Sequence, residues 1–433
     1  MRYSPPPADL FARNRAKFLA EMAPNTAAIF WSNDPLPTNV DHQYTLQQNS
    51  NFYYLTGIHQ EGCVLVLLKN PPRPRFGQML FILRSSEHLY KWEGWKYSPD
   101  EARAASGVEQ VLYADQLEGQ LLHLISQVDG FYIDTNEHDR NRLFVQTAAH
   151  RFAERMQREF PAHKLHRAAP LLARLRETKE PEELAQMQRA IDITEKAFRR
   201  VLGFVKPGVM EYEIEAEIVH EFLRNGATRA AYDSIIAGGA NACVLHYVLN
   251  NQPVKDGDLV LMDFGCEYGM YDSDLTRTIP VNGRYSPRQR AVYDAVLRAH
   301  RFAAGLLKPG VLLDEYSRQV GEYMSEELVK LGLLKPEEAR STAPTEDAKP
   351  YWRYFYHGTS HFLGLDTHDV GNRYAPIRAG MVFTVEPGLY IQEEGIGIRI
   401  ENNYLITDSG VVDLMANIPI EAEEIEQLMQ AGC

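Results

Sequence analysis

Two stretches of this chain repeat one pattern. Lys255-Asp256-Gly257-Asp258-Leu259-Val260-Leu261-Met262-Asp263-Phe264-Gly265 and Arg378-Ala379-Gly380-Met381-Val382-Phe383-Thr384-Val385-Glu386-Pro387-Gly388 each run from a basic residue through a glycine turn into a β-forming run, then an acid and a glycine. A second strand with a further acid follows each, Asp274 in one case and Glu401 in the other. The duplication predicts two similar βαβ-like halves facing one another across a shared cleft. It also sets an electrostatic condition. An acid closing a buried strand is costly unless its charge is compensated. Asp263, Glu386 and Glu401 all close apolar runs, and Asp274 is followed by β-formers. Four acids in two matched pairs point to a common cation more than to four separate pairings with arginine, lysine or solvent.

The chain around this repeat has 433 residues. At roughly 150 residues per domain that allows two or three domains and a large core. Residues 1–172 alternate short strands with helices. Ala27–Trp31, Val64–Leu68, Gln78–Leu83 and Phe131–Ile133 read as strands, with a helix over 141–158. This is expected to be an α/β domain in its own right. Residues 173–433 form the second domain. A long helix is expected after Glu180-Pro181, with Leu184, Met187, Ile191, Phe198 and Leu202 on one face. Further helices are expected over 211–225, from the Ser286-Pro287-Arg288-Gln289 capping box to Leu307, and over 314–332. Arg340 to Pro350 reads as a surface loop.

Composition excludes several function classes. Net charge is -13 with no Lys/Arg-rich run, which argues against nucleic acid and anionic membranes as partners. Cys63, Cys243, Cys266 and Cys433 show no CxxC spacing, so neither a disulfide framework nor a zinc ribbon is expected, and buried thiols in a reducing compartment are. The N-terminal Met1-Arg2-Tyr3-Ser4-Pro5-Pro6-Pro7 has no apolar signal-peptide core, and no window approaches the roughly 18 apolar residues of a membrane span. The expected location is the cytoplasm.

Histidines supply the second half of the chemistry. His357, His361 and His368 lie within twelve residues of one another, and His246 stands in Val244-Leu245-His246-Tyr247. The His357/His361 spacing resembles the helical HExxH zinc motif only superficially, because Gly358 replaces the glutamate and Gly358 and Gly364 disfavour a helix. Carboxylates with one or two imidazoles make a hard, oxygen-dominated donor set, suited to manganese, magnesium, cobalt or iron. Four acids exceed the need of one divalent ion. Two ions bridged by carboxylates and a hydroxide would balance the charge and supply a nucleophile.

The blocks Met262–Gly265, Ser273–Thr278, His357–Asp369, Thr384–Gly388 and Gly397–Glu401 together resemble the signatures of the pita-bread metallopeptidases, and among them of the Xaa-Pro aminopeptidases. Gln48–Gly57 is similar to that family's N-terminal domain. The resemblance covers nearly the whole chain. It implies an α/β (α+β) protein: an N-terminal α/β domain, then a pita-bread catalytic domain with an internal pseudo-twofold repeat. It implies metal ligands Asp263, Asp274, His361, Glu386 and Glu401 for two divalent ions, manganese first, with cobalt, iron or zinc as alternatives. Asp263 and Glu401 would bridge the ions, Asp274 would complete one, and His361 with Glu386 the other. Glu386 would also act as general base. His246, His357 and His368 would line the substrate channel and bind the scissile carbonyl, and Arg399 would orient the carboxylates. Asp41 and Trp92 would meet the N-terminus of the substrate. The implied substrates are peptides with proline second, and the implied assembly is a dimer or tetramer. Two features depart from the family: the short spacing between Glu386 and Glu401, and Glu180 where a serine cap is usual. The competing readings are an Xaa-Pro dipeptidase with the same metal site, an inactive pita-bread protein that binds partners, and a metal-free creatinase-like enzyme.

Overall fold

The protein is described from a computed structural model, which covers residues 2–71, 73–138, 141, 145–341, 345 and 348–431. The chain forms two compact units, one of Pro5–Arg176 and one that comprises Met1–Ser4 and Glu177–Cys433.

In the first unit the strands are β1 (Thr26–Trp31), β2 (Val64–Leu68), β3 (Gln78–Ile82), β4 (Gln110–Tyr113), β5 (Gly130–Ile133) and β6 (Lys164–Arg167). They form one mixed sheet in the order β4-β3-β2-β1-β5-β6. Side chains alternate across it as strand geometry requires. Ala27 and Ile29 of β1 face the core shared with Leu121, Leu124, Phe152 and Met156 of two helices. On the opposite face Phe30 meets Phe18 of the helix Ala8–Glu21 edge-on at 5.3 Å. The helix expected over 141–158 begins later, at Ala148, with Thr147 as its N-cap. Asn141 and Val145 to Gln146 lie outside it, and residues 142–144 fall outside the described residues.

The second unit carries the repeat. Its strands are β7 (Arg229–Ala230), β8 (Ile235–Gly238), β9 (Leu259–Phe264), β10 (Cys266–Tyr268), β11 (Tyr271–Asp272), β12 (Leu275–Pro280), β13 (Val382–Val385), β14 (Gly388–Ile391), β15 (Ile396–Arg399), β16 (Asn402–Thr407) and β17 (Gly410–Asp413). The expected long helices are observed as Pro181–Phe204, Glu211–Arg224, Pro287–Leu306 and Leu313–Lys330. They share one core with the strands, from Ile191 and Phe198 through Val260, Val296 and Met324 to Phe383 and Ile398. On the first helix Met187, Ile191, Phe198 and Leu202 are buried while Leu184 is only half-buried. Of the expected surface loop from Arg340 to Pro350, residues 342–344, 346 and 347 lie outside the described residues.

The two halves are built from antiparallel hairpins, which corrects the βαβ-like expectation. β9 pairs with β12 and β13 with β16, both antiparallel, and a smaller hairpin is inserted in each: β10–β11 in one, β14–β15 in the other. An alternating run with an acid at its end reads the same whether its partner strand is parallel or antiparallel, so the direction was not legible locally. In each half one acid stands at the outgoing strand's end and the other at the return strand's start. Asp263 and Glu386 leave β9 and β13; Asp274 and Glu401 enter β12 and β16. Gly265 permits the first insertion, because a Cβ there would lie 1.7 Å from the Ser273 carbonyl oxygen.

A buried arginine joins the halves. Arg277 on β12 donates from Nη1 to the Thr276 and Glu401 carbonyls (3.0 and 2.7 Å), from Nη2 to Asn402 Oδ1 (2.7 Å) and from Nε to the Pro419 carbonyl (2.8 Å). Five fixed donors in a planar fork suit four acceptors from three segments. Arg277→Met should therefore strand these acceptors and cost about 3 kcal/mol, read as a lowered urea midpoint. An unchanged midpoint would remove Arg277 as the joint. His300 in Pro287–Leu306 is fully buried, and burial, helped by Arg277 and Arg301, depresses its pKa from 6.5 to about 3. The unfolded chain then takes up the proton first, so this contribution is intact above pH 6.5 and fades as pH falls toward 3. His300→Phe should flatten the stability loss in that window, measured by urea unfolding across pH; an unaltered slope would count against it.

Candidate metal centre

The four acids and the histidine converge where the two hairpins meet. Asp263, Asp274 and Glu401 are 9%, 5% and 1% exposed, so each is withdrawn from the water that would solvate its charge. Ligand atoms of Asp274, His361 and Glu401 all lie within 4.8 Å of one another. His361 Nε2 is 3.4 Å from Asp274 Oδ2 and 3.6 Å from Glu386 Oε1. Asp263 joins through Tyr232, whose hydroxyl lies 2.6 Å from Asp263 Oδ1 and also against Asp274 Oδ1. A hydroxyl has one proton, so it can serve only one of these oxygens at a time.

Other side chains fix the carboxylates from behind. Arg399, buried at the end of β15, donates from Nη2 to Asp263 Oδ2 (2.5 Å), from Nη1 to the Tyr390 hydroxyl (2.8 Å) and from Nε to Thr276 Oγ1 (3.1 Å). Thr276 in turn donates to Glu401 Oε2 at 2.7 Å. Asn403 holds the Asp274 backbone at both ends, accepting from its N–H (3.2 Å) and donating to its carbonyl (2.7 Å).

The segment His357–Asp369 is irregular and not helical, so the zinc-helix arrangement is absent. His361 is anchored by the bridge between its neighbour Phe362 and Phe383 and by its backbone bonds to Thr384. Its Nδ1 bonds the Phe362 carbonyl at 2.9 Å, which leaves Nε2 facing the acids with a free lone pair when neutral. His357 pairs Nδ1 with the Gly358 carbonyl and Nε2 with the Tyr390 hydroxyl, both at 2.8 Å. These partners make a directed chain from Arg399 through Tyr390 to a neutral His357. His368 stacks on His361 at 4.2 Å and is exposed. His246 is exposed on the loop between β8 and β9.

Electrostatics show what the cluster lacks. Burial, then the surrounding acids, hold Glu401 well above the ordinary carboxylate range, and burial likewise raises Asp274. Burial pushes Glu386 up to about 7 against the pull of His361 and Arg399. Burial opposes a proton on His361, but Asp274 and Glu386 outweigh it and lift the imidazole to about 9. Burial takes His357 the other way, down to about 3, with Arg399 adding to it. Positive charge is thus favoured at His361 and among the acids, and disfavoured at His357. Glu401 Oε1 is buried with no hydrogen-bond partner. An orphaned carboxylate oxygen among three other acids and an open imidazole nitrogen fits divalent cations.

The five expected ligands and Arg399 are therefore brought together. Asp41 and Trp92 belong to the first unit and are exposed, 84% at the Asp41 side chain and 79% at Trp92. Sequence reading missed Tyr232, Thr276, Tyr390 and Asn403. Thr276, Tyr390 and Asn403 had a signal, since each lies two residues from an expected ligand or a repeat glycine; Tyr232 had none.

Comparison with known proteins agrees with this geometry. Residues 185–408 match metallopeptidase family M24, and residues 11–132 match the aminopeptidase P N-terminal domain. The chain is 37% identical to the Xaa-Pro aminopeptidase of Escherichia coli strain K12, with 98% of each chain covered, and 35% identical to that of Haemophilus influenzae, covering 98% of this chain and 97% of the relative. Among solved structures it resembles E. coli aminopeptidase P with the inhibitor Pro-Leu (TM-score 0.88, 35% identity, 99% of each chain) and proline aminopeptidase P II of Yersinia pestis (TM-score 0.87, 36% identity, 98% and 99%). A full-length match, a pita-bread core built from paired hairpins and a convergent acid cluster agree: the chain belongs to the M24 metallopeptidases, a hydrolase of the Xaa-Pro aminopeptidase type.

Proposed function

We propose that this chain removes the N-terminal residue from peptides whose second residue is proline, using two divalent cations. The observation that carries the reading is the meeting of Asp274, His361 and Glu401 within 4.8 Å of one another, Glu386 beside His361, Asp263 joined through Tyr232, and Glu401 Oε1 unpartnered. Asp263, Asp274, His361, Glu386 and Glu401 would hold them. Bound there, the ions would supply Lewis acidity toward water and the scissile carbonyl. The donor set of four carboxylates and one imidazole favours manganese, with cobalt, iron or zinc as substitutes.

The side chains then divide the work. Glu386, only half-buried and with a carboxyl near neutrality, takes a proton from the attacking water and returns it to the proline nitrogen as the C–N bond breaks. His246, His357 and His368 line the channel and steady the oxygen on which charge develops. Neutral His357 suits a hydrogen-bonding role over a charged one. Arg399 keeps Asp263 oriented through its bond to Oδ2. Asp41 and Trp92 are assigned to the substrate's N-terminus by positional analogy, supported by their exposure. Cys63, Cys243 and Cys266 are buried and free, which supports a reducing, cytoplasmic location. Among the described residues no helix is long and apolar enough to cross a membrane. A dimer or tetramer is proposed on the family resemblance, and sedimentation tests it.

The direct test is hydrolysis of a tripeptide with proline second, with manganese and with chelator. Release of the first residue with manganese, its loss with chelator and its return on adding manganese are expected; no cleavage in the loaded protein would sink the proposal. Faster cleavage of an Xaa-Pro dipeptide than of the tripeptide would favour the dipeptidase reading. Asp274→Ala and His361→Ala should each lower bound manganese and cut kcat/KM by more than about a hundredfold, beyond the loss typical of outer-shell partners, with circular dichroism unchanged. Either variant retaining full turnover would refute its assigned role.

A further inference from the structure

The loop that carries His246 runs from the end of β8 to the start of β9 and has little regular structure beyond the short turn Gly239–Cys243. Several of its polar groups go instead to one side chain. Glu211, the first residue of the helix Glu211–Arg224, is fully buried. Its Oε1 accepts from the Gly238 N–H (2.8 Å) and from Asn241 Nδ2 (3.1 Å). Its Oε2 accepts from the Tyr247 hydroxyl and the Gln252 N–H, at 2.8 and 2.9 Å. The Glu211 N–H also donates to the Gln252 carbonyl at 3.0 Å. One carboxylate therefore ties the start of the loop at Gly238 to Gln252, on the far side of His246, and grips the interior at Asn241 and Tyr247.

We propose that Glu211 is a positioning residue that holds His246 for the reaction. A buried carboxylate filled by four donors is stable and rigid; it is an acceptor at both oxygens, and all four donors need one. Such a site is costly to build, since a buried acid needs every one of its bonds. His246 itself is exposed, and its neighbour Tyr247 is the anchor. Rigid placement matters because small displacements of a group that contacts the reacting centre are expensive in rate. The inference rests on the substrate role given to His246 above.

The test is a double-mutant cycle on the manganese-loaded enzyme with a tripeptide bearing proline second. Glu211→Gln keeps the shape but presents an NH2 to two donors at one end. It should lower kcat/KM at least about tenfold, with manganese content unchanged. In a His246→Ala background the same change should cost less than about twofold, because the group being positioned is gone. Equal losses in both backgrounds, or no loss in the parent enzyme, would overturn the proposal. If Glu211→Gln does not fold, Tyr247→Phe, which removes one donor, goes through the same cycle under the same criterion. Should His246→Ala alone leave kcat/KM unchanged, the substrate role of His246 fails and this inference falls with it, while the peptidase reading stands on the tripeptide assay.

Discussion

The second unit is organised around buried negative charge. Asp263, Asp274 and Glu401 are withdrawn from water, and Glu386 stands beside them. Four carboxylates face one guanidinium, Arg399, and one imidazole, His361. Within the protein Arg399 satisfies only Asp263 directly. The remainder needs charge that the chain does not supply, which is why the proton affinities of Glu386 and Glu401 are raised by burial and by neighbouring acids, Asp274 and Asp263 among them. A fold of this kind trades some stability of the metal-free chain for a high local affinity for cations.

That trade is affordable because the surrounding scaffold is rigid. Arg277 ties β12 to the entry of β16 through backbone carbonyls, so the two hairpins cannot shift independently. Arg399 and Thr276 then tie the side chains: Arg399 Nε donates to Thr276 Oγ1, and Thr276 donates to Glu401. Each of these bonds is modest alone. Together they leave the carboxylates few alternative rotamers, which keeps the cluster preorganised and limits the reorganisation needed when cations bind. The same elements deliver His361 and His357 from a segment with no regular structure, pinned by Phe362, Thr384 and Tyr390.

The chemistry of the cluster also separates its two inner histidines. Burial opposes a proton on both rings; His361 sits between acids that outweigh this and gains proton affinity, whereas burial and then Arg399 lower that of His357. One can be a cation ligand; the other is better placed as a neutral hydrogen-bonding group. Residue type alone does not separate them, since both are histidines four residues apart. The difference comes from what each ring faces.

The amino-acid sequence by itself determined the repeat, the element types of the catalytic half and the residues able to hold cations. Apolar runs ending in acids, a proline-led helix at Pro181 and a capping box at Ser286 are local patterns, and local patterns are written in neighbouring residues. The start of the helix at Ala148 was misread, although Thr147 is a residue type that favours N-caps. Tertiary structure alone decided the rest. Strand direction, the insertion of a second hairpin into each half, and the contributions of Tyr232, Tyr390 and Asn403 depend on partners far away in the chain. Asn403 meets Asp274 across 129 residues, and Arg399 meets Asp263 across 136. No window of sequence contains both ends of such contacts, and a buried charge is satisfied only by groups that folding brings to it.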